Sequence, residues 1–126
     1  MTNYRPIVDR VVSETRGAFL VSQISRDTDL EDTVGLDLIT IAAATKTEIH
    51  RHPHAENVVY ILRGIATAIV DGVEHLVTEG DRIRIGKGVS HGFQTGNDPL
   101  TFISVQSPPI LNRNRNVFDT EVLVEA

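Results

Sequence analysis

His50-Arg51-His52-Pro53-His54-Ala55-Glu56-Asn57, running on through Val58-Val59-Tyr60-Ile61-Leu62-Arg63 to Gly64, is the stretch on which the reading of this chain turns. Three histidines fall within five residues, and a strand-length apolar run follows them. In an extended strand residues i and i+2 share a face, so His50 and His52 aim both imidazoles at one point, as a metal ion requires. A second segment, Gly80-Asp81 through Gly86-Lys87-Gly88 to His91, places another histidine about forty residues later. A further strand carrying His91 would complete the site, so the two segments together read as a metal-binding β-barrel.

The rest of the chain agrees with that reading. Turn signals recur at Arg16-Gly17, Asp27 to Asp32, Arg63-Gly64, Asp71-Gly72, Glu79-Gly80-Asp81, Gly86-Lys87-Gly88 and Gly96-Asn97-Asp98-Pro99. Between them lie strand-length runs rich in Val, Ile, Leu and Thr: 18–25, 35–44, 58–62, 65–70, 73–77, 82–85 and 100–106. Asp71-Gly72 joins two such runs with residues that accept the positive φ of a type I′ hairpin turn. Alternation in Arg82-Ile83-Arg84-Ile85 separates a buried face from a charged one. No window longer than ten residues carries a capped helical period, although Ile7 to Thr15 could form one helical turn or an arm.

Length and composition set outer bounds. The 126 residues suffice for one domain, with a metal-binding core at about 35–107 and N- and C-terminal arms flanking it. The absence of cysteine leaves only nitrogen and oxygen ligands for any metal. A net charge of -5 argues against a nucleic-acid partner, which needs a basic field. No apolar run approaches the ~20 residues of a bilayer crossing. Met1 to Arg10 is unlike a secretory leader, so a cytoplasmic location is expected. Arg113 and Arg115 read as part of a solvated or subunit-contacting arm.

The first segment, with two histidines flanking one residue, a carboxylate shortly after and a strand ending at glycine, resembles the first motif of the cupin superfamily. Gly80 to His91 is similar to the second, with matching spacing. Gly86 stands where that motif usually has proline, and Thr95 where asparagine often follows the third histidine. The resemblance implies an all-β, double-stranded β-helix (jelly-roll) barrel in a single domain. It also implies one divalent metal ion (zinc, nickel, manganese, iron or copper) on His50, His52 and His91, and a homodimer sharing edge strands. The family's glutamate position falls on Asn57, with Glu56 beside it. Face counting along the strand favours Asn57, which shares a side with Val59 and Ile61. Glu56 is the better donor and would face inward if the strand bulged after Pro53; water or His54 are further alternatives for the fourth ligand.

Around this site Glu48 shares a face with His50 and is a candidate acid or base, as is Glu56. Phe93 and Thr95 share a face with His91 and are candidate cavity residues. Tyr60 is expected outside or at a subunit contact, Arg82 and Arg84 outward, and His75 without a role. Ser90-His91 adjacency does not suit a nucleophile and base pair, and the glycines at 86, 88 and 92 open no helix that could cradle phosphate. Three readings follow: a Lewis-acid isomerase, lyase or cyclase acting on a small oxygenated substrate, a non-haem iron dioxygenase if Glu56 ligates, and a metal-dependent small-molecule binder without turnover.

Overall fold

Alternating apolar residues commit most of the chain to strands. The computed structural model describes residues 7–126, and these contain no helix. The reading of Met1 to Arg10 falls largely on residues outside that range. In chain order the strands are β1 (Val12–Arg16), β2 (Phe19–Gln23), β3 (Gly35–Ile41), β4 (Ile49–Arg51), β5 (Glu56–Arg63), β6 (Ile65–Val70) and β7 (Val73–Thr78). They continue as β8 (Arg82–Ile85), β9 (His91–Thr95), β10 (Leu100–Ser107), β11 (Leu111–Asn112), β12 (Val117–Phe118) and β13 (Glu121–Val124). Among the described residues no helix is long and apolar enough to cross a membrane.

Two antiparallel sheets face each other, in the orders β1-β2-β3-β10-β5-β8 and β13-β4-β9-β6-β7, with β11-β12 as a small ribbon. Strands distant in sequence are neighbours in space: β10 lies between β3 and β5, and β9 between β4 and β6. This winding of two sheets about one interior is the double-stranded β-helix. Asp71 and Gly72 turn β6 into β7 with φ of 51° and 76°, as a type I′ turn requires. In β8, Arg82 and Arg84 are exposed and lie opposite exposed Tyr60 and Val58, so that face is solvated as expected.

Pairing register explains how one interior holds both a core and a cavity. β3 turns Ile41, Ile39 and Asp37 inward, β5 turns Ile61, Val59 and Asn57, and β10 turns Leu100, Phe102, Ser104 and Gln106. Phe102 pairs opposite Ile39 and Ile61, Ser104 opposite Asp37 and Val59, and Gln106 opposite Asn57. The rungs thus run from hydrocarbon at one end to amide, hydroxyl and carboxyl at the other. The apolar end closes against Ala66, Ala68, Val77 and Phe93 of the second sheet, where Phe93 stacks on Phe102 at 5.0 Å between centroids. Burying each such side chain stabilises the fold by about 1.5–3 kcal/mol.

Two segments differ from the sequence expectation. The Ile7 to Thr15 stretch contains no helical turn; from Val12 it is an edge strand returning through Gly17 onto β2, with Ser13 and Ser22 hydroxyls 2.8 Å apart. Strand pairing offers this segment partners that one isolated helical turn lacks. The C-terminal segment, read as an arm, packs back onto the barrel, and β13 extends the second sheet beside β4. Arg113 is held within its own chain by Asp27 and Glu31.

Candidate metal centre

β4 delivers His50 to the interior, and alternation carries on one residue past its end to bury His52 as well. Across the β4–β9 pair His50 sits directly opposite His91. That approach depends on Gly92, because a Cβ there would meet the Glu48 carbonyl and Ile49 Cδ1 at 2.7 Å each. The three ring centroids are 4.4 to 5.0 Å apart. One nitrogen from each ring lies within 4.8 Å of the others, near enough for small ring rotations to bring all three onto one ion.

Backbone carbonyls orient two of the rings. His52 Nδ1 donates to the Asp119 carbonyl at 2.7 Å, and His91 Nδ1 donates to the Val89 carbonyl at 3.0 Å. A carbonyl can only accept, so both rings carry their proton on Nδ1 and present a bare Nε2. Among the described residues His50 Nδ1 is buried without a hydrogen-bond partner, its neighbouring carboxylate, Glu48 Oε1, lying 3.8 Å away. Burial pushes His50 down to about 3, with His91 and His52 adding repulsion, and burial pushes His91 down to about 4. Burial also lowers His52, against the opposing pull of Asp119. All three are therefore neutral at neutral pH, the form that ligates. The donor set fits a divalent ion of the zinc, nickel, iron, manganese or copper group.

The triad opens onto a cavity of about 310 Å³, where apolar residues such as Phe19, Ile39, Phe93 and Phe118 alternate with polar and charged ones. Asn57 is buried and lines this cavity, its Oδ1 accepting from Ser104 Oγ at 2.8 Å. Glu56 is exposed and does not line it. The alternative in which a bulge turns it inward is corrected: β5 pairs regularly with β10 through Glu56, and the one register shift lies at the far end, between Thr101 and Phe102. Glu48 does line the cavity, and burial, followed by repulsion from Glu125, raises its carboxyl. His54 turns out to solvent and meets Asp119 at 2.9 Å. Thr95 is buried yet stands outside the cavity; its hydroxyl donates to the Ala42 carbonyl and accepts from Thr45 N–H, tying down the loop before β4. His75 is exposed on β7 and does not line the cavity.

Sequence reasoning missed the wall made by Asp37, Ser104 and Gln106. Gln106 Nε2 donates to Asp37 Oδ2 and Ser104 Oγ, both at 2.9 Å, and its Oε1 accepts from Ile110 N–H. Burial raises the Asp37 carboxyl, outweighing the Gln106 hydrogen bond and the nearby Arg16 charge. The signal was present: in Asp37-Leu38-Ile39-Thr40-Ile41 and Phe102-Ile103-Ser104-Val105-Gln106 a polar residue interrupts an inward apolar face.

Fold and site together define a double-stranded β-helix with a three-histidine centre in its mouth. Residues 37–106 match the family described as the cupin domain, and the chain belongs to that family. An uncharacterized protein of Methanocaldococcus jannaschii is 31% identical over 84 residues, a match spanning 66% of this chain and 63% of that protein. Among solved structures, the nucleoside dehydratase Pac13 of Streptomyces superposes with a TM-score of 0.74 at 8% identity, covering 98% of this chain and 93% of its own. A cupin-superfamily sugar phosphate isomerase from Silicibacter pomeroyi superposes with a TM-score of 0.63 at 18% identity, covering 79% and 71%. At these identities the two likenesses are of fold.

Proposed function

We propose that this cupin is an enzyme that binds one divalent metal ion through His50, His52 and His91 and carries out isomerase, lyase or cyclase chemistry on a small oxygenated substrate. The observation that carries the reading is the triad itself: three buried, neutral imidazoles, two of them held by carbonyls, facing a cavity with a carboxyl on either side. A divalent ion bound there supplies Lewis acidity toward a carbonyl or hydroxyl oxygen. The chain supplies the rest. Glu48 stands beside His50, and Asp37 stands on the facing wall backed by Gln106; burial raises both carboxyls, which suits them to hold and move protons. Asn57, kept in place by Ser104, offers the metal a neutral oxygen or the substrate an amide. Phe19, Phe93, Phe102 and Phe118 supply apolar surface between these polar groups, which strengthens the polar contacts a bound substrate makes. The neighbouring folds include an isomerase and a dehydratase, which accords with non-redox chemistry. Glu56 faces solvent, which favours this reading over the iron dioxygenase that a Glu56 ligand would have supported.

A homodimer belongs to the same proposal, supported by the exposed apolar positions Val58, Tyr60, Leu62 and Val105, which lie together on the outer face of β5 and β10. Sedimentation equilibrium checks it. The function is tested by elemental analysis and metal titration, followed by proton NMR in deuterium oxide of hydroxycarbonyl compounds with metal-loaded protein. Stoichiometric metal with deuterium incorporation or isomerisation supports the proposal. Tight metal-dependent binding of an unchanged compound would make the protein a binder, and failure to take up any of the five metals would overturn the reading.

A further inference from the structure

His52 is the least supported of the three ligands by its own strand. It lies beyond the end of β4, and the next residue is Pro53, which has no N–H to donate. Its orientation comes from elsewhere. Asp119, far away in sequence and beyond the cupin-matched residues 37–106, grips this corner with both its main chain and its side chain. The Asp119 carbonyl accepts from His52 Nδ1 at 2.7 Å. Its carboxylate, almost wholly buried, accepts from Ala55 N–H at 2.8 Å and His54 N–H at 3.0 Å, both on Oδ2, while Oδ1 meets His54 Nδ1. Asp119 is itself anchored, its N–H donating to the Ile110 carbonyl at 2.7 Å. Thr120 Oγ1 approaches His52 Nδ1 at 3.2 Å, and Val122 pairs opposite His50. Residues 119–122 thus back two of the three imidazoles.

We infer that Asp119 is a positioning residue of the metal centre: by clamping residues 53–55 and holding the His52 ring through its carbonyl, it aims the His52 nitrogen at the ion. The inference rests on the metal reading above. Removing the carboxylate leaves the Asp119 carbonyl in place but releases the 54 and 55 N–H groups, so the turn that carries His52 is free to shift relative to that acceptor; metal affinity then falls by about 10–100-fold, the usual cost of losing a group that orients a ligand. Hydrogen bonding, rather than charge, is what the site needs. Asparagine can present its one oxygen to both backbone N–H groups, so Asp119→Asn keeps most of the affinity.

The experiment compares wild type, Asp119→Ala, Asp119→Asn and His50→Ala by zinc calorimetry and by the visible spectrum of the cobalt(II)-loaded protein. Expected are tight binding by wild type, a loss of tenfold or more with an altered cobalt spectrum for Asp119→Ala, near-recovery for Asp119→Asn, and no stoichiometric site in His50→Ala. A purely structural role would lower the melting temperature and leave the cobalt spectrum of the folded variant unchanged. Unchanged affinity and spectrum in Asp119→Ala would overturn the inference while leaving the metal reading intact; absence of binding by wild type would overturn the metal reading itself. Should Asp119→Ala prove unfolded by circular dichroism, Asp119→Ser, which keeps one acceptor, takes its place under the same criteria.

Discussion

Acidification of the metal-free protein gives the sharpest check on the triad's burial. His50 and His91 are pushed down to about 3 and about 4 in the folded protein, against 6.5 for an unperturbed imidazole. Between these values the unfolded chain binds protons that the folded chain refuses, so stability is lost as pH falls through 6.5 and continues to be lost toward the folded values. At pH 5 each unfolded imidazole gains about 2 kcal/mol from protonation while its folded counterpart gains almost nothing, so the two together remove about 4 kcal/mol between pH 7 and pH 5. For a domain of this size that is a large share of the total, and with a urea m-value of about 2 kcal/mol/M it moves the midpoint by about 2 M. His52 acts in the same direction, and the raised carboxyls of Asp37 and Glu48 act in the opposite one. Urea titrations of chelator-stripped protein at pH 7, 6 and 5 measure the slope, and the His50→Asn/His91→Asn double variant isolates the histidine share. A fall below about 1 kcal/mol in wild type, or an equal fall in the double variant, would refute the reasoning.

Three further outcomes are expected. Gly92→Ala forces its Cβ against the Glu48 carbonyl and Ile49, so it should cost about 1–3 kcal/mol and weaken metal binding by parting His50 from His91; thermal melts and zinc titration read both effects. Glu56→Gln should leave metal affinity within about twofold, since the side chain is exposed. Phe102→Ala removes a fully buried ring stacked on Phe93 and should cost about 3–5 kcal/mol by chemical denaturation, with zinc stoichiometry preserved in whatever fraction stays folded.

Much of this molecule was legible in one dimension because β-structure writes its faces into every second residue. The hairpin at Asp71-Gly72, the solvated arginines of β8 and the convergence of His50, His52 and His91 all follow from local alternation and turn chemistry. Face counting also distinguished Asn57 from Glu56 correctly as to which enters the interior. What escaped depends on pairings between remote segments. Nothing in Val12 to Arg16 announces an edge strand until β2 is there to receive it, and nothing near Asp119 reveals that its carbonyl will meet a histidine 67 residues earlier. Asp37 and Gln106 did leave a trace, as polar interruptions of apolar faces, but their mutual contact is a matter of register between β3 and β10.

The graded rungs of β3, β5 and β10 have a consequence for how such a chain can change over time. Polar groups and hydrocarbon occupy opposite ends of the same three ribbons, so substitutions near the mouth should change what the cavity can hold while the hydrocarbon floor goes on holding the sheets together. A library randomised at positions 37, 57, 104 and 106 should therefore yield many folded members with new ligand preferences, whereas one randomised at 41, 61, 100 and 102 should yield mostly collapsed protein. The barrel is in this sense a vessel whose rim can be recast without melting its base.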